Sequence, residues 1–155
     1  MNFSARAFVS LCLAGVAPLA AMAQSLPGKH PGYVHALSDL RAARWNLYHQ
    51  PGDAHVYAGE DAGIQEIDAA IGEIKKAAID DGKSIDDHPP VDTQEHGSRL
   101  LKSLENLQKA RADISNEEDN PDVRELRHHA IEHIDRAIKA AHAAHTEWLK
   151  DVQKK

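Results

Sequence analysis

Apolar residues recur at three- and four-residue intervals in four stretches of this chain, and no stretch carries the alternation of a strand. The first, about 31–50, sets Tyr33, Leu37, Leu40, Arg44, Leu47 and Tyr48 on one stripe, and Pro51-Gly52-Asp53 is expected to stop it. The second, about 59–80, carries Ile64, Ile67, Ile71, Ile74 and Ala78, with Gly82 placed to end it. The third is expected to start near Asp92, where Asp92 and Glu95 have the offset of a capping box, and carries Leu100, Leu101, Leu104, Leu107, Arg111 and Ile114. The fourth has Asn120 as N-cap and Pro121 in its first turn, and continues through Val123, Ile131, Ile134, Ile138, Ala141, His145 and Trp148 to near Lys150. Helices of ~20 residues span ~30 Å, a normal length for a small bundle.

The pattern is written twice. At an offset of 67 positions, Leu37, Leu40, Ala43 and Arg44 answer to Leu104, Leu107, Ala110 and Arg111. Without a gap, Ile64, Ile67, Asp68, Ala70, Ile71 and Ala77 answer to Ile131, Ile134, Asp135, Ala137, Ile138 and Ala144. A fixed offset across two helical patterns and a loop marks a duplicated hairpin. Neither hairpin buries its apolar stripe alone, so the prediction is an all-α, antiparallel four-helix bundle built from two tandem hairpins, about 31–80 and 92–150. Arg44 with Asp68 and Arg111 with Asp135 repeat with the scaffold. In a hairpin turning near residue 55 they stand level, which predicts an Arg–Asp bridge holding helix register in each copy.

The ends and the composition narrow the setting. Arg6, the apolar run Ala7 to Ala20 and the small residues of Ala21-Met22-Ala23 have the form of a secretory signal peptide over 1–23, cleaved before Gln24. The run is shorter than the ~20 residues of a membrane span. The expected product is an exported, soluble, periplasmic domain over 24–155, about 130 residues and so one core. It would lose Cys12 and both methionines, which removes disulfides, thiolate metal sites and thiol catalysis. Without Arg6, 17 basic residues face 24 acidic ones, a net charge of −7 that argues against nucleic acid as a partner. Protonating all eleven histidines would carry that charge to +4.

Histidine is therefore the chemistry to weigh. The fourth helix holds five: His128, His129, His133, His142 and His145. At ~100° per residue His129 and His133 stack one turn apart, on the face turned from the apolar stripe, with Glu125 and Glu132 beside them. Two imidazoles so placed chelate one divalent ion, with a carboxylate completing the sphere, and copper, nickel or zinc suits imidazole best. No nucleophile elbow, phosphate loop or His-Glu-x-x-His pattern is present, so no enzyme is predicted.

The Ala- and His-rich run from Leu126 to His145, after a signal peptide, resembles the small metal-binding proteins of the bacterial periplasm. The stretches 35–41, 79–83 and 87–90 resemble exported bacterial helical proteins of unassigned function. The resemblance implies a divalent-metal-binding or buffering bundle in the periplasm. The alternative is a non-enzymatic stress or interaction module with a protein partner and a histidine-based response to pH.

Overall fold

The computed structural model describes residues 31–49, 56–76, 82–91, 95–116 and 124–155. Residues 1–23, the Pro51-Gly52-Asp53 stop, Ala78, Asp92, Asn120, Pro121 and Val123 lie outside the described residues, and so do the expectations attached to them.

Four helices and no strand make up the described chain: α1 Pro31–Tyr48, α2 Ala58–Lys76, α3 His96–Ser115 and α4 Arg124–Val152. They form a four-helix bundle in which neighbours run antiparallel. Level with one another stand Arg44 and Asp68 between α1 and α2, and Arg111 and Asp135 between α3 and α4. Ser103 and Ala43 do the same between α3 and α1, and Glu66 and His133 between α2 and α4. The more extensive contacts run between hairpins, α2 against α4 and α1 against α3.

The apolar stripes meet in one core. Leu37, Leu40, Leu47, Ile67, Ile74, Leu100, Leu107, Ile114 and Ile134 are fully buried. Each such side chain contributes about 1.5–3 kcal/mol on leaving water. The α2–α4 seam is built differently, from small residues. A Cβ on Gly59 would collide with the backbone of Ala140 and Ala144. Glycine at that position, with Ala137, Ala141 and Ala144 fully buried on α4, lets the two helices approach closely, whereas Gly63 makes room for the Leu47 side chain of α1.

Two apolar members of the expected stripes face water instead: Tyr48 and Leu101 are exposed. Each lies one position beyond a fully buried leucine, Leu47 and Leu100, and one residue turns a helix by ~100°. The start of α3 also differs from expectation. Glu95 is the N-cap itself, with extended backbone and no side-chain cap, and the helix begins at His96. Half of a capping box forms instead at α2, where Glu60 Oε1 accepts the backbone N–H of Tyr57 at 3.1 Å. A tyrosine at the N-cap position hides that half-box from a search for serine or threonine. Gly82 has φ +70°, the left-handed conformation that glycine takes without strain; residues 77–81 lie outside the described residues, and so does the expectation that Gly82 ends the second helix.

Candidate functional site

The Arg and Asp that repeat at the 67-residue offset face each other in both hairpins. Arg44 Nε donates to Asp68 Oδ1 at 2.7 Å, and Arg111 donates to Asp135 through Nε at 2.5 Å and Nη2 at 3.2 Å. The second pair is more exposed, and its forked geometry raises the Arg111 pKa further.

The histidines of α4 do not sit on a purely solvated face. The tight α2–α4 seam draws His129 and His133 to its border, where both are half-buried. His133 Nδ1 lies 2.6 Å from Glu66 Oε2 on α2 and 2.7 Å from Arg136 Nη2. One ring nitrogen cannot serve both neighbours. A carboxylate only accepts, so the contact with Glu66 requires the proton on Nδ1, while Arg136 reaches the same Glu66 oxygen through Nε at 2.9 Å. Burial works against the Glu66 charge, but the hydrogen bonds from His133 and Arg136 outweigh it and hold the carboxyl below its usual value. Farther along α2, the Lys76 hydrogen bond lowers the Glu73 carboxyl, and the nearby His129 and His133 add to that effect.

The four residues expected to share a metal are only partly gathered. Glu132 pairs with His128 at 3.1 Å and lies 3.9 Å from Arg136 Nη1. Glu125 is exposed and lines a surface depression with Arg124, Arg127, His128 and Ile131. Among the described residues no three histidine, cysteine, aspartate or glutamate side chains converge as ligands. The carboxylate nearest the imidazole pair comes from α2, which a wheel drawn for α4 alone does not show. His145 is half-buried and stacks on Trp148, and burial, with His142 beside it, lowers its pKa.

Two further polar groupings are single-copy features. At the end where α2 and α3 begin, Glu60 and His96 pair at 3.0 Å, both buried, one turn from the fully buried Arg99. Tyr57 lies against the His96 ring and reaches Asp151 through its hydroxyl at 3.4 Å. Where α1 meets the segment 82–91, the Trp45 ring stacks on His49 with centroids 4.2 Å apart and tilts against His88 at 5.1 Å. Arg44 there makes a second ion pair, from Nη1 to Asp86 at 3.2 Å, and the buried Arg41 donates to the Lys83 carbonyl at 3.5 Å.

No described helix is long and apolar enough to cross a membrane. Set against known protein families, curated proteins and solved structures, the chain matches none of them.

Proposed function

We propose that this chain is an exported, non-enzymatic helical bundle that binds a divalent transition-metal ion reversibly through His129 and His133. The observation that carries the reading is the His133–Glu66 contact. With the proton fixed on Nδ1 by a carboxylate, Nε2 is left with its lone pair, the arrangement that orients and strengthens a metal-ligating imidazole. His129, one turn away, supplies the second imidazole. Glu125 or Glu132 would join only by leaving its present surroundings, and water fills the other positions. Two imidazoles and water make an exchangeable site for copper, nickel or zinc, suited to buffering or carrying an ion.

Calorimetric titration of the protein, purified without a histidine tag, tests this with each of the three metals. Saturable binding tighter than ~10⁻⁵ M is expected, lost in His129→Ala/His133→Ala and weakened about 10–100-fold in Glu66→Gln. Binding should also fade below about pH 6, because ligand imidazoles must be neutral. Absence of saturable binding, or a double variant that binds as the parent does, removes the reading.

The alternative is a non-enzymatic interaction module with a protein partner and a histidine-based response to pH, because protonating all eleven histidines would reverse the sign of the net charge. It requires partner binding or an unfolding transition between about pH 5 and 7. A flat response over that range sinks it.

A further inference from the structure

The junction of α1 with the segment 82–91 encloses a groove of about 250 Å³. Two guanidinium groups, Arg41 and Arg44, line it beside the rings of Trp45 and His88 and the side chain of Ile85. The duplication shows what this part of the hairpin needs for folding and what it does not. Sixty-seven positions on, Trp45, Tyr48 and His49 are answered by Ala112, Ser115 and Asn116, in a helix that folds alike and keeps its own Arg–Asp bridge. The rings are therefore additions to the first copy and not conditions of the fold.

Arg44 shows where a ligand charge would sit. Its Nε holds Asp68 within the scaffold, whereas its Nη1 meets Asp86, whose side chain is 79% exposed. An ion pair so open to water adds little stability and is easily exchanged. Asp86 thus occupies, with a weakly held carboxylate, a position that another carboxylate can take. The planar guanidinium fork matches a carboxylate, flat rings pack against indole and imidazole, and a space of this size admits one or two rings. A metal cation is disfavoured by the two arginines.

We infer that this groove binds a small aromatic carboxylate, whose carboxylate displaces Asp86 from Arg44 and whose ring is received by Trp45, Ile85 and His88. Asp86 then acts as a built-in competitor that sets the affinity. The site is separate from the imidazole pair on α4 and stands or falls independently of it.

The test is a titration of the purified protein with benzoate, phenylacetate and indole-3-acetate, followed by NMR at the Trp45 indole N–H. Benzyl alcohol serves as the ring without charge and inorganic phosphate as the charge without a ring. Saturable shifts are expected for at least one acid, with the controls at least about tenfold weaker. Asp86→Asn should tighten binding at least about threefold. Trp45→Ala, which installs the residue type of the second copy, should weaken it at least about tenfold with helix content unchanged by circular dichroism. No saturation by the parent or by D86N at about 10 mM acid overturns the proposal. So does W45A binding as tightly as the parent, a control binding as well as the acids, or a D86N variant that binds no more tightly.

Discussion

His133 and Glu66 occupy the same position in the two copies of the repeat, and they touch each other, Nδ1 to Oε2 at 2.6 Å. Equivalent positions meet only where an approximate two-fold axis relates the hairpins, as at a self-complementary interface. An axis between identical copies would set like against like. Duplication within one chain lets the two positions diverge into an imidazole and a carboxylate. Replacing His133→Glu places two carboxylates at the axis and is expected to cost about 1 kcal/mol at pH 7, and adding Glu66→His should restore most of it. Urea unfolding of the parent, the single variant and the double variant checks this. Because the folded Glu66 pKa is lowered, its stabilising contribution is present above about pH 4.5 and is lost as pH falls below that.

The two Arg–Asp bridges repeat in sequence but not in surroundings. Arg44 and Asp68 are 20% and 38% exposed at the side chain, against 45% and 48% for Arg111 and Asp135. A double-mutant cycle on the first pair should give a coupling near 1 kcal/mol, and on the second under about 0.5 kcal/mol, because water screens the more exposed pair. Equal couplings would show that burial does not set their strength.

Gly97 of α3 lies against the Trp148 indole of α4, with no room for a Cβ between them. Gly97→Ala is expected to cost about 1–3 kcal/mol through overpacking. Trp148→Leu in that background should recover part of the loss, a non-additivity readable in urea titrations. Gly72, in the middle of α2, has nothing within 4 Å of where its Cβ would be, so Gly72→Ala should stabilise by about 0.5–1 kcal/mol.

Asp39 on α1 is a carboxylate whose charge folding disfavours. Burial pushes its pKa from 3.8 up to about 6, Asp113 on α3 adds to this, and Lys109, His35 and Lys102 pull it back. The folded state therefore holds this proton more tightly than the unfolded chain, and stability is lost as pH rises from about 4 to 6. At the 67-residue offset the other copy carries Asn106. Asp39→Asn should match the parent at about pH 3.5 and exceed it in stability above about pH 6.5, measured by urea unfolding at both values. A difference that does not grow with pH contradicts this account.

Helix number, helix pairing within hairpins and the repeated bridges were legible in the sequence because each has a periodic or duplicated signature. Leu37 and Leu104 announce one stripe twice, and the same holds for Arg44 with Arg111. Contacts without a repeat were not legible. His133 reaches Glu66 because Gly59 lets α2 and α4 close up, which is a property of two helices together. Glu60 meets His96 across the bundle, between helices that share an end but not a hairpin. The α1 groove depends on the path of residues 82–91, where no periodicity constrains the chain.

The bundle's larger seams run between the hairpins, α1 on α3 and α2 on α4, and one linker joins the two halves. Two chains that open at that linker regain the same seams by exchanging hairpins, at little cost beyond association entropy. Concentration during refolding then decides the product. Dilute chains are then expected to close on themselves, and crowded ones to yield an intertwined dimer that size-exclusion chromatography would separate from the monomer.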